Sequence, residues 1–271
     1  MLNLTFIGDL TLDNYKTLNQ VKLGGASLNQ AVWAKRLGQE PTIMAAVGDG
    51  DLGKKYLDFL KKENINCLVK QIKGKTSQIE IFLDENGERR WGKWAVGVMR
   101  DYHLGDEEKD FLLTQDAVCL PVYFPIRHLL AEVSSHISHF PHPLLVADFD
   151  DLSQFQKKTA FLEKHLPFLD LVFLGLDKQN DKKLIQQLKK LSKEFQRTII
   201  VTLNAQGSVC FANDQEERQT AQKIKAVDTT GGGDAFLVGF VIEYLKTKNI
   251  SIALQKGTSL ATKAITRMGA Y

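Results

Sequence analysis

Short apolar runs alternate with amphipathic helical stretches along nearly all of the 271-residue chain, and this alternation limits the fold more than any other feature. Runs at 4–8, 41–47, 117–120, 144–147, 169–174 and 197–203 read as strands. Helical stretches at 26–37, from about 51 to 63, near 126–137 and 155–165, and at 182–195 lie between them. Strand–helix alternation implies an α/β fold, with a mostly parallel central sheet covered by helices on both faces. A further strand at 208–212 follows 197–203 after a short turn, so it is expected to run antiparallel. Two helices, about 233–247 and 251–266, close the chain. Ligands of such sheets sit outside the carboxyl ends of the strands.

One segment breaks the alternation. Strands at 77–83 and 89–95 are joined by DENGE, whose Asn86-Gly87 is a strong hairpin signal. The expectation is a small antiparallel β lid, built from about 10–22 and 76–97, on a single domain spanning 1–271. A lid beside a crevice closes over substrate. Trp91 and Trp94 lie three apart in it, a strand spacing that puts them on opposite faces, so at most one is expected in the pocket.

Composition removes several classes of function. With 35 basic against 32 acidic residues the net charge is +3, which calls for neither nucleic acid nor an anionic membrane as partner. No apolar stretch reaches the ~18 uncharged residues of a membrane span. MLNLTFIGDL lacks a basic n-region and meets an acid at Asp9, so it reads as a first strand and not a signal peptide. Cys67, Cys119 and Cys210 are sparse and form no CxxC pair, against a disulfide framework or structural zinc. These absences together give a cytoplasmic expectation. His128, His136, His139 and His142 cluster only loosely, and surface or hydrogen-bonded core roles are favoured over metal binding.

Two glycine clusters precede helices. GDGDLG (48–53) fits G-x-G-x-x-G, but Asp49 and Asp51 stand where a pyrophosphate would approach, and like charges there are costly. A tight strand-to-helix turn with Asp51 near the N-cap is preferred. No G-x-x-x-x-G-K-[ST] is present. DTTGGGDAFLVGF (228–240) is different: glycines open the start of a helix apolar on nearly every face. Helix N-termini present free amides and positive dipole, and glycine lets an anion approach them. Asp234 in the first turn is held as an anion that can take a proton. Amides facing a phosphate and a carboxylate facing a hydroxyl suit phosphoryl transfer. The plain alternative is a capped helix start with glycines for packing.

D-T-T-G-G-G-D-A-F resembles the C-terminal signature of the ribokinase-like (PfkB) carbohydrate kinase family, D-T-x-G-A-G-D. G-G-A-S-L-N-Q-A (24–31), with Gly38 and Gly48, resembles its first signature, G-G-A-P-A-N-x-A. The signatures lie in the expected order, and the resemblance covers essentially the whole chain. It implies a ribokinase-like fold and ATP-dependent phosphorylation of a sugar's primary hydroxyl. Asp234 then matches the catalytic base, and Gly231, Gly232 and Gly233 the anion hole. Asp13, Gly24, Gly25 and Asn29 match sugar-binding positions, with Gly8 in the first strand. V-T-L-N-A-Q-G-S (201–208) matches the nucleotide side at Thr202 and Gly207, with Asn204 in place of a glycine. Asp228 and Thr230 fall where some members bind a monovalent cation such as K⁺.

The family's N-x-x-E is missing after the 169–174 strand. ATP is still expected to need Mg²⁺, because triphosphate charge must be neutralised. Asp177, through water, or Asp181 would supply a carboxylate, with Asp148 and Asp150 as further candidates or helix caps. That missing motif, G-V-M-R-D-Y (97–102) and D-F-D (148–150) are similar to the fructoselysine 6-kinase branch, which points to a fructosamine or related sugar. The altered magnesium motif also keeps open a catalytically silent sugar- or nucleotide-binding relative acting as a regulator. Lids in the family pair into dimers, so the expected state is a monomer or a lid-mediated homodimer.

Overall fold

Every residue from Pro41 to Gly48 is buried, side chains pointing to both faces included, so the sheet they belong to is covered on both sides. The computed structural model describes residues 1–85, 89–137 and 143–271. Its large sheet has nine strands. In chain order they are β1 (Asn3–Ile7), β4 (Glu40–Gly48), β5 (Asn66–Ile72), β8 (Ala117–Pro121), β9 (Leu144–Asp148), β10 (Leu171–Gly175), β11 (Thr198–Thr202), β12 (Ser208–Ala212) and β13 (Gln215–Gln219). Across the sheet the order is β13-β12-β11-β10-β9-β8-β1-β4-β5. All strands from β11 to β5 are parallel, and β12 and β13 are antiparallel additions at one edge.

The second sheet is the lid: β2 (Thr11–Tyr15), β3 (Gln20–Gly24), β6 (Ser77–Leu83) and β7 (Arg89–Ala95), in the order β3-β2-β6-β7. Its two outer pairs are antiparallel as expected, but the central β2–β6 pair is parallel. The two hairpins leave the large sheet in the same direction, so where they meet the strands run alike. The Asn86-Gly87 turn lies outside the described residues.

Eight helices follow: α1 (Ala26–Arg36), α2 (Asp51–Lys62), α3 (Asp106–Leu112), α4 (His128–Ile137), α5 (Ala160–His165), α6 (Lys182–Phe195), α7 (Gly232–Thr247) and α8 (Ile250–Ile265) among the described residues. In α7 every residue from Ala235 to Ile242 is buried, as a helix apolar all round requires. Gly239 lets α8 come close: a Cβ there would sit 3.1 Å from the Gly257 Cα. Two strands gave no sequence signal, β5 and β13. Both are edge strands whose residues are mostly exposed, so neither an apolar run nor an alternation marks them. No helix among the described residues is long and apolar enough to cross a membrane.

Candidate active site

A cavity of about 760 Å³ opens where the carboxyl ends of the parallel strands face the lid. The N-termini of α1 and α7 both point at it. Asp234, in the first turn of α7, lines the cavity, and its carboxylate is gripped through both oxygens. Asn29 Nδ2 donates to Oδ2 at 2.9 Å, and Gln30 Nε2 donates to Oδ1 at 3.0 Å. Only an NH₂ group can donate to a carboxylate, so the carboxylate fixes which way both amides point. Asn29 was expected on the sugar-pocket wall and not as a partner of Asp234; Gln30, its fully buried neighbour, was not expected at all.

The three glycines before Asp234 divide. Gly232 and Gly233 line the cavity, and nothing lies within 4 Å of where a Gly233 Cβ would be. Gly231 does not line it. It is the N-cap of α7 at φ 76, pressed against Ala270 near the C-terminus, 2.6 Å from a would-be Cβ. The Gly232 amide already donates to Thr229 O at 3.2 Å. Of the three expected glycines, Gly233 is the one that opens onto free space.

On the lid side, Asp13 and Gly25 line the cavity and Gly24 does not. The position a Gly24 Cβ would take is filled by the Asp13 carboxylate, so this glycine makes room for a neighbour. Thr11, Asp13 and Tyr15 share one face of β2, all three buried. They pair with Ser77, Ile79 and Ile81 of β6. Ile79 and Ile81 in turn pair with Trp94 and Trp91. Three residues of β7 therefore span two of β6, a β-bulge, and the extra residue turns both tryptophans to the same face. Both line the cavity, which corrects the expectation of opposite faces.

Thr202 and Gly207 line the opposite end of the cavity. Gly207 has φ 91, and a Cβ there would overlap the Gln219 carbonyl. Asn204, where the resemblance has glycine, sits at φ 51; asparagine tolerates this left-handed conformation better than most residues.

The acidic residues sort differently from the sequence expectation. Asp177 and Asp181 are absent from the cavity wall. Asp177 Oδ1 instead accepts from the Gln179 and Asn180 amides, at 3.0 and 2.8 Å, in the turn leading to α6. Asp148 and Asp150 do line the cavity, the Asp150 amide donating to Asp148 Oδ1 at 3.0 Å. Asp228 is fully buried behind the wall. It accepts from Tyr15 Oη at 3.1 Å, from the Gly269 amide at 2.8 Å and from the Thr230 amide at 2.9 Å. These donors engage both oxygens, so Asp228 ties lid, C-terminus and the α7 loop together. Thr230 lines the cavity.

Asp9 lines the cavity and was missed as a site residue; its signal was an acid directly after the first strand. Five aspartates, Asp9, Asp13, Asp148, Asp150 and Asp234, line the wall, and no lysine, arginine or histidine does so among the described residues. Tyr123, also on the wall, feels them: burial and then the charges of Asp9, Asp150, Asp234 and Asp148 push its hydroxyl well above the usual tyrosine range. Away from the cavity, His128 meets His103 and Glu132 and not His136, which pairs with Asp110; His139 and His142 lie outside the described residues.

A family model described as pfkB family carbohydrate kinase matches residues 12–95 and 171–271, which include the lid strands β3, β6 and β7, Asp13, Asn29 and the whole of α7. The chain belongs to the pfkB family of carbohydrate kinases. This carbohydrate kinase is 29% identical over 272 residues to the fructoselysine 6-kinase of Escherichia coli (strain K12), covering 100% of both chains. It is 25% identical to the fructosamine kinase of Bacillus subtilis (strain 168), over 100% of this chain and 93% of that one. Solved structures share the fold. The adenosine kinase from Sinorhizobium meliloti superposes with a TM-score of 0.84 at 18% identity, covering 99% and 95% of the two chains. The fructokinase from Vibrio cholerae O395, in its fructose, ADP and calcium ion bound form, gives 0.78 at 20% identity, covering 100% and 94%.

Proposed function

We propose that this carbohydrate kinase transfers the γ-phosphoryl group of ATP to the primary hydroxyl of a sugar amine of the fructosamine class. The observation that carries the reading is the Asp234 carboxylate, clamped by Asn29 and Gln30 inside the cavity at the N-terminus of a buried helix. A clamped carboxylate has a fixed direction, which general-base catalysis needs. Asp234 takes the proton of the attacking hydroxyl as that oxygen bonds to the γ-phosphorus and the bond to the leaving ADP oxygen breaks. The amides of the first turn of α7 from Gly233 on and the dipole of α7 face the charge on the transferred group.

Asp13 holds sugar hydroxyls under the lid, since one carboxylate accepts from two adjacent donors. Thr202 and Gly207 lie on the nucleotide side. A divalent ion bound with the triphosphate neutralises its charge, and the oxygen donors Asp148 and Asp150 suit such a hard cation. The lid excludes water, which limits loss of ATP to hydrolysis. The full-length relationships to a fructoselysine 6-kinase and a fructosamine kinase favour a sugar amine over a plain sugar. ADP release coupled to a dye assay, across a panel of sugars and sugar amines, tests the reading. Turnover highest on a fructosamine supports it, and ADP release independent of every acceptor sinks it.

A further inference from the structure

Asp9 is the cavity carboxylate to which phosphoryl transfer gives no task. The residue is 5% exposed, and its Oδ1 is buried without a hydrogen-bond partner in the structure. Burial raises its pKa, against smaller opposing effects of the Thr11 hydroxyl and the Asp9 and Ala26 amides. A buried carboxylate oxygen left unpartnered is costly, and a ligand donor that fills the position recovers the cost.

The other oxygen is held by a directed relay that starts in the lid. The Trp94 indole is a donor only, and its Nε1 lies 2.9 Å from Ser77 Oγ. Ser77 Oγ then gives its proton to Thr11 Oγ1, 2.8 Å away, and Thr11 gives its own to Asp9 Oδ2 at 2.8 Å. Each proton points toward Asp9, the arrangement that suits an ionised acceptor at the end of the chain. The relay fixes Oδ2, while Oδ1 has no hydrogen-bond partner in the structure. Trp91 and Trp94, brought to one face by the β7 bulge, line the same cavity as Asp9. Aromatic rings and a carboxylate with one unpartnered oxygen together recognise a cation.

We propose that Asp9, with Trp91 and Trp94, forms the subsite that binds the positively charged amine of the acceptor and so selects sugar amines over neutral sugars. The inference rests on the acceptor reading of the cavity given above. Among the described residues no basic side chain lines the wall, which fits it.

The test compares 1-amino-1-deoxyfructose with its N-acetyl derivative at neutral pH. The two offer the same hydroxyls and differ in charge. The wild-type chain is expected to favour the cation by about 30-fold or more in kcat/KM, the range for removing one partner of a buried charge pair. Asp9→Asn should bring that ratio near one, with the larger loss on the cationic acceptor. A wild-type ratio near one, a ratio unchanged in Asp9→Asn, or an equal loss on both acceptors overturns the subsite. So does turnover confined to other, uncharged sugars. Trp91→Ala, at a position 43% exposed, gives a second arm that does not depend on Asp9→Asn folding. It should lower the ratio several-fold, and an unchanged ratio there overturns the aromatic half. Absence of ADP release with every acceptor fails the kinase reading itself, and so is distinct from failure of the subsite.

Discussion

Two segments of this chain follow the same recipe, glycines and an acid opening a helix, and the fold uses them in opposite ways. At 48–53 the glycines serve backbone packing. A Gly53 Cβ would overlap the Gly48 carbonyl, and one on Gly48 would sit 2.7 Å from the Thr76 amide. The Gly48 amide donates to Thr76 Oγ1 at 2.8 Å and Asp49 Oδ1 accepts from the Gly74 amide at 3.1 Å, so the turn anchors the strand entering the lid. None of its residues touches the cavity. At 231–233 the glycines face open space from Gly233 onward, and the acid beside them is aimed into it. The meaning of a glycine cluster therefore lies in what occupies the volume that a side chain would have filled.

The sharpest way to break this contrast is to remove the acid charge in each segment. Asp234→Asn should lower turnover by about 10²–10⁴-fold while ATP still protects against thermal unfolding. Near-wild-type kcat would remove Asp234 from the proton transfer. Next in size, Gly53→Ala forces the overlap with the Gly48 carbonyl and should cost about 1–3 kcal/mol of stability, read as a lower melting temperature. Its kcat at 25 °C should be unchanged; an unaffected melting temperature would contradict the packing role. Gly233→Ala reverses the pattern. The methyl meets no protein atom within 4 Å and replaces a glycine in a helix, so stability should hold or rise by up to about 1 kcal/mol. Turnover should fall roughly tenfold, because the methyl enters the space where the anion approaches the amides. Equal kcat would place the phosphate elsewhere. The smallest effect is expected from Asp51→Asn, whose carboxylate sits in the first turn of α2: about 0.3–1 kcal/mol in a urea titration, and no change in kcat. A large kinetic effect there would revive a ligand role for that loop.

Legibility in the sequence followed the same physics. Buried parallel strands and the apolar helix α7 announced themselves, because burial on both faces demands continuous hydrophobic runs. Edge strands β5 and β13 did not, since solvent-facing residues are free to be polar. Asp234, Asn29 and Asp13 were readable from local motifs, and the structure brings all three to one cavity. Asp177 does not line the cavity; its acid satisfies the turn before α6, a local use that looks the same in sequence as a metal ligand. Trp91 was misjudged because a bulge of one residue is invisible in a strand's letters and reverses the face of everything beyond it. Gln30 has no motif that separates it from ordinary core polar residues, and Asp9 has only its place just after the first strand.

The chain's letters alone determined the α/β architecture, the lid as an insertion and the acid poised at a glycine-opened helix, because periodicity and backbone chemistry are local properties. Only the folded chain decided which carboxylates share the cavity, that two amides from α1 hold Asp234, and that both tryptophans face inward. Those outcomes depend on partners far apart in sequence, more than two hundred residues between Asn29 and Asp234, and no local pattern encodes a distance of that kind.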